Sequence, residues 1–342
     1  MRILLGMSGG LDSTYAAELL RRQGHEVQGA LLEMHAYTDT EAAERAAREV
    51  GIPLLRADCR QLFREQVETA FCEEYRRGRT PNPCILCNPL VKFRRLIELA
   101  RQNGFDRVAT GHYARICQDG GRYSVAQGAD GRKDQSYMLW GLTQEQLAAC
   151  LFPLGELTKD VVRDGARAEG LAAAEARESQ DICFIPDGNY VGFVENRCGK
   201  GKEGRFVDTQ GRVLGRHQGV LHYTVGQRRG LGVALGERMF VSEIHADTGD
   251  ILLLPDGGAR QDKMRVEKLN FQALAPCTEY VGELWGKVRY AAAPQKMTVR
   301  VNGDGAEVVF SEPIRAVTPG QSAVFYDDRG RIALGGLIAS AT

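Results

Sequence analysis

At 342 residues the chain exceeds one average domain and suits two or three. Its 44 Lys and Arg offset 44 Asp and Glu, so net charge selects no polyanionic partner and leaves a local basic patch as the only route to one. No apolar run is long enough for a membrane helix, and Met1 leads straight into an apolar stretch with no basic start or signal segment, so a cytoplasmic protein without a membrane partner is expected. The 9 cysteines are odd in number and scattered, which argues against structural disulfides; most are expected to be small buried apolar residues.

In chain order, Ile3-Leu4-Leu5 reads as a buried strand and residues 15–20 as a helix with Gly24 just past its end. Between them lies Ser8-Gly9-Gly10-Leu11-Asp12-Ser13. Two glycines without Cβ atoms let the backbone turn sharply and approach a ligand, while the new helix aims its first N–H groups and its dipole at one spot. Ser8, Ser13 and Thr14 add hydroxyls, and the result is a phosphate cradle. It lacks the Lys-Ser or Lys-Thr pair of a Walker loop and the G-x-G-x-x-G of a dinucleotide fold.

A second strand is expected over 27–32, then a helix over 41–50 capped by Asp39 or Thr40 and stopped by Gly51. A third strand follows over 53–57, a helix over 61–75, another over 90–103, and a strand over 107–110 that delivers Gly111 and His112 to the rim. This alternation predicts an α/β fold, a doubly wound parallel sheet with its ligand beyond the carboxyl ends of the strands. Residues 78–89 hold three prolines with Cys84 and Cys87, and are expected as a shaped loop rather than a helix. The Cys84–Cys87 spacing also fits half a zinc site or a redox pair, but no second C-x-x-C or H-x-x-H completes a zinc set. The run Lys133-Asp134-Gln135-Ser136-Tyr137 reads equally as a solvated turn or as a functional segment, and Cys183 closes a polar stretch after a helix opening near Leu157.

Beyond about Val194 the helical period gives way to short alternating runs. His222, Tyr223, Arg228 and Arg229 suit phosphate contact and base stacking, or else a plain hairpin. Regular strand-like runs over 284–288, 297–301, 307–310, 322–326 and 332–338 predict a small antiparallel β-barrel. The expected organisation is therefore a catalytic domain over 1–193, a small central β-rich domain over 194–261 and a C-terminal β-barrel over 262–342.

The Ser-Gly-Gly-x-Asp-Ser loop resembles the pyrophosphate loop of the N-type ATP pyrophosphatases, and the ordered set of motifs resembles the bacterial tRNA-specific 2-thiouridylases, the MnmA family, along nearly the whole chain. The resemblance implies ATP-dependent 2-thiolation of the wobble uridine of tRNAs for Lys, Glu and Gln. It implies that ATP lies on Gly6, Met7, Ser8, Gly9, Gly10, Leu11, Asp12, Ser13 and Gly111, with its adenine at Leu32 or, two positions on, at Met34. It implies a persulfide on Cys183 resolved by Cys87, fed by a sulfur donor such as a cysteine desulfurase or a relay protein. It places Mg²⁺ near Asp12, the extruded base at Asn82, Pro83 and Cys84, and tRNA at His112, Lys133, Asp134, Gln135, Arg289, Tyr290 and Gln321. Where some relatives carry Asp this chain has Cys84, so three thiolates on an iron–sulfur cluster (Cys84, Cys87, Cys183) form a lesser reading. The rival function is an adenylating synthetase of the same superfamily acting on a small metabolite.

Overall fold

The computed structural model describes all residues except 177–181, 234–235, 237, 256–257 and 259, so the stretch from Glu178 to Asp181 ahead of Cys183 lies outside the described residues. Strands β1 (Arg2–Gly6), β2 (Glu26–Glu33), β3 (Leu54–Asp58), β4 (Arg107–Ala109) and β7 (Cys150–Leu151) form one parallel sheet in the order β3-β2-β1-β4-β7. The order reverses at β1, so the expected doubly wound sheet is present with its switch point beside the phosphate loop. Helices α1 (Leu11–Arg22) and α8 (Lys159–Ala168) cover one face, and α6 (Phe93–Gln102) covers the other. Asp39 caps α2 (Thr40–Val50) by accepting from the Ala42 N–H at 2.9 Å, and Gly51 at φ +74° ends it.

The stretch over 61–75 is helical but interrupted: α3 (Arg60–Phe63) and α4 (Thr69–Arg76) are joined by a π-helical turn over Arg64–Glu68. The proline-rich loop also differs from expectation. Asn82 accepts from the Cys84 N–H and starts a short helix α5 (Pro83–Cys87), because Pro83 falls at the first turn, where a missing N–H costs nothing. A second π-helical turn, Asn88–Lys92, carries the chain from Cys87 into α6.

A hairpin of β5 (Ala114–Asp119) and β6 (Arg122–Gln127) that the sequence pattern does not signal follows β4. The segment Lys133 to Tyr137 is not a solvated turn. Asp134, Ser136 and Tyr137 are buried, and a 3-10 turn over Ser136–Leu139 forms the seat on which the last domain rests. Helices α7 (Gln144–Ala149) and α9 (Tyr190–Cys198) complete the helical part.

A four-stranded sheet follows, in the order β10-β11-β8-β9: β8 (Gly204–Val207), β9 (Val213–His217), β10 (Met239–His245) and β11 (Asp250–Pro255). Strands β12 (Arg260–Phe271), β13 (Glu279–Lys287), β14 (Gln295–Asn302), β15 (Gly305–Arg315), β16 (Ser322–Tyr326) and β17 (Ile332–Ala341) close into an antiparallel barrel. Alternate residues such as Val299, Val308 and Phe325 fill its interior. Among the described residues, no helix is long and apolar enough to cross a membrane.

The barrel is fastened to the first domain by buried hydrogen bonds. Trp140 Nε1 donates to Ser322 Oγ at 2.9 Å, and Tyr137 OH to the Ser322 carbonyl at 2.9 Å. Gln272 is fully buried; its Oε1 accepts from the Val125 N–H at 2.9 Å, and its Nε2 donates to the carbonyls of Leu139 and Trp140 at 3.0 Å. Gln272→Ala strands these groups without water, so it is expected to cost about 2–4 kcal/mol. The check is a lower urea midpoint at unchanged slope.

Candidate active site

β1 pairs with β2 only as far as Gly6 and Ala30, whereas β2 stays paired with β3 through Glu33 and Asp58. The Met7 N–H still donates to the Ala30 carbonyl, after which the chain turns away into Ser8 and Gly9. Residues of one parity on β2 therefore face a vacated strand position. The Leu32 N–H and C=O point there, and the ladder gives them no partner. Gly9, at φ +81°, lets the loop lie on the start of α2: a Cβ would stand 2.4 Å from the Ala42 carbonyl carbon. Gly111 is as tightly placed, since a Cβ would meet the Asp12 backbone at 2.8 Å. Helix α1 has no side-chain cap, so its first N–H groups serve the loop.

Two cavities open onto this loop. One, of about 530 Å³, is lined by Gly6, Met7, Leu32, Met34, Gly111 and Cys183, among others. The larger, of about 960 Å³, is lined by Gly9, Gly10, Leu11, Cys84, Lys133 and Tyr290, among others. They share a wall that includes Ser8, Asp12, Ser13, Lys92, His112 and Gln135. Ser13 Oγ accepts from the Ser8 N–H at 3.2 Å and donates to the Gly10 carbonyl at 3.1 Å, which sets the loop's curvature.

The cysteines occupy different walls. Cys183 faces the smaller cavity and Cys84 the larger, while Cys87 is buried one layer back, its thiol donating to Met34 Sδ at 3.7 Å. Burial pushes the Cys87 thiol up to about 12; Cys84 and Cys183 are exposed residues, but loss of water around their thiols on the cavity walls raises both, Cys183 to about 11. Lys92 opposes burial at all three sulfurs. Among the described residues, no group of three or more His, Cys, Asp or Glu side chains is placed to hold a metal ion, so these thiols do not form a cluster ligand set in this arrangement.

Asp12 is not an open carboxylate. Lys159 Nζ donates to its two oxygens at 2.7 and 2.9 Å, and Tyr113 OH to Oδ1 at 2.7 Å. The acid that the resemblance sets near Mg²⁺ is thus already engaged by Lys159 and Tyr113. Asp134 is buried, and its carboxylate accepts from the Gly128 and Ser136 N–H groups and from the Ser136 hydroxyl. Gln321 likewise faces inward, donating to the Thr80 carbonyl at 2.6 Å and tying the barrel to the cysteine loop. Pro83 is buried, and Asn82 reaches Met138 Sδ at 3.3 Å. Gln135 accepts from the Tyr113 N–H at 3.0 Å. His112 sits 2.7 Å from Thr110 Oγ1 and stacks on Phe93; burial and Lys92 hold it neutral. Arg289 and Tyr290 are exposed, with Tyr290 on the cavity rim.

Three family models match the chain in order: a tRNA methyl transferase HUP domain over residues 1–187, a tRNA methyl transferase PRC-barrel domain over 192–254 and an aminomethyltransferase beta-barrel domain over 261–338. The tRNA-specific 2-thiouridylase MnmA of Syntrophotalea carbinolica is 44% identical over 350 residues, covering 98% of each chain. Those of Carboxydothermus hydrogenoformans (43%, 98% of this chain and 96% of that one) and Clostridium acetobutylicum (40%, 98% of each) agree. The chain belongs to the tRNA-specific 2-thiouridylase family.

For this thiouridylase-family chain, Lys92, Tyr113 and Lys159 are the site residues that sequence reasoning misses. Lys159 sits at the start of a helix, where a lone Lys carries no signal; only packing against Asp12, far away in sequence, gives it a role. Lys159→Met is expected to lower stability by about 1–3 kcal/mol, since the Lys is buried but the acid is partly exposed. Adding Asp12→Asn should restore part of that loss in a double-mutant cycle. The raised thiols predict that haloacetamide labelling of Cys87 and Cys183 climbs about tenfold per pH unit through neutrality and levels only near pH 11–12. Lys92→Met should slow labelling at every pH below that plateau.

Proposed function

We propose that this enzyme binds ATP in the smaller cavity and a tRNA uridine in the larger, and replaces the C2 oxygen of that uridine by sulfur. The observation that carries the reading is the shared wall: a phosphate loop and Cys183 line one cavity, Cys84 lines the next, and Ser8, Asp12 and His112 belong to both. The base's oxygen and the α-phosphate meet at that wall. The Leu32 backbone edge reads the adenine, as it would read an added strand.

The C2 oxygen is a poor leaving group until ATP adenylates it with loss of pyrophosphate. The terminal sulfur of a Cys183 persulfide then attacks C2, AMP departs with the oxygen, and the base is left linked to Cys183 through a disulfide. Cys87 thiolate attacks Cys183 Sγ, which frees the thiolated base and leaves a Cys87–Cys183 disulfide for an external thiol to reduce. The burial of Cys87 behind Met34 keeps it from intercepting the persulfide before the base arrives. The wobble uridine of tRNAs for Lys, Glu and Gln is the target, Arg289, Tyr290 and Lys133 meet the RNA, and a cysteine desulfurase or relay protein supplies the persulfide sulfur.

The test is nucleoside mass spectrometry of unmodified tRNA for Glu incubated with the protein, ATP, Mg²⁺ and a persulfide donor. Wild type should yield 2-thiouridine, Cys87→Ser and Cys183→Ser none, and Cys84→Ser most of the wild-type yield. Unchanged uridine with wild-type protein would overturn the reading. ATP turnover without tRNA and without either cysteine would assign the chain to the small-metabolite synthetases.

A further inference from the structure

Besides the phosphate loop, the smaller cavity is lined by the turn from Met34 to Asp39, which contributes Met34, His35, Tyr37, Thr38 and Asp39. That turn is fixed. Thr38 N–H donates to the His35 carbonyl at 3.1 Å, and His35 N–H returns to Thr38 Oγ1 at 3.3 Å. The His35 ring packs edge-on against the buried Phe63 at 5.7 Å, and Phe63 packs in the same way on Phe184, the neighbour of Cys183. Burial keeps His35 neutral, and among the described residues its shielded Nδ1 has no hydrogen-bond partner.

Tyr37 is the residue this arrangement leaves unexplained. Its side chain lines the cavity yet is 63% exposed, and it belongs to neither hydrophobic cluster of the first domain. Its ring centroid lies 6.3 Å from that of His35, tilted by 45°. A large aromatic held on a rigid turn but left in water forgoes its burial free energy. It recovers that free energy when a flat ring covers it.

We propose that Tyr37, braced by His35, is the stacking face for the nucleobase of the nucleotide in this cavity and a determinant of its affinity; the inference rests on the ATP reading above. The Leu32 backbone edge meets the base at its rim, and Tyr37 meets it on its face. Stacking on an aromatic accepts any π-face, so Tyr37 supplies affinity and Leu32 supplies the choice of base.

The experiment is calorimetric titration of the full-length protein, without tRNA, with a non-hydrolysable ATP analogue and with inorganic triphosphate. Tyr37→Ala should weaken the ATP analogue about tenfold or more, while Tyr37→Phe should bind as wild type does. Triphosphate, which has no base, should bind Tyr37→Ala and wild type equally. Equal binding of the ATP analogue by wild type and Tyr37→Ala overturns the stacking role and leaves the nucleotide site standing. A parallel loss of triphosphate binding overturns it too, because the substitution would then act on the fold. Wild type that binds no ATP analogue overturns the nucleotide reading and the stacking role together.

Discussion

Because β1 leaves the sheet at Gly6 while β2 continues, a strip of backbone is left with one unpaired edge beside a glycine turn. The smaller cavity follows from that vacancy, and the larger shares a wall with it. A buried unpaired N–H and C=O is costly, so the Leu32 edge makes this the place where a planar hydrogen-bonding ligand gains most. The loop that departs from β1 puts a helix start beside the same gap, so an open strand edge and a helix N-terminus come from one local event.

The charges are arranged around the same gap. Lys159, nearly buried, neutralises Asp12 and keeps the loop from presenting a bare carboxylate to a polyanion. Lys92 stands on the wall common to both cavities and acts on each of the three thiols. Without a substrate these thiols stay protonated, since burial outweighs the lysine. A protonated Cys87 behind Met34 is a poor nucleophile and is shielded from oxidation.

None of the barrel's strands carries a cysteine, yet the barrel helps to place the loop that holds Cys84 and Cys87. Gln321 and the Pro319 carbonyl hold Thr80, the approach to Asn82 and α5, while Gly320 lies so close that a Cβ would stand 2.9 Å from Arg79. Ser322 and Gln272 hold the segment that ends in Trp140, whose Met138 in turn receives Asn82 and Asn88. The short helix bearing Cys84 and Cys87 is thus located by contacts from two sides, and the C-terminal domain acts on chemistry at a distance through packing.

Local sequence determined the elements whose cause is local. The alternation of apolar runs and capped helices specified the parallel sheet, Gly9 and Gly10 the turn, and the regular short runs the barrel; the motif order identified the family. Two expectations failed for different reasons: α5 forms among prolines through local signals, Asn82 as its cap and Pro83 in its first turn, whereas the polar run at Lys133 is buried because the barrel sits on it. Tertiary structure alone decided that Asp134 and Gln321 turn inward, that Lys159 meets Asp12, and that Cys87 lies behind Met34. Each of these pairs partners distant in sequence, or sets a side chain's direction through packing, and neither periodicity nor spacing encodes a contact between residues that only the folded chain brings together.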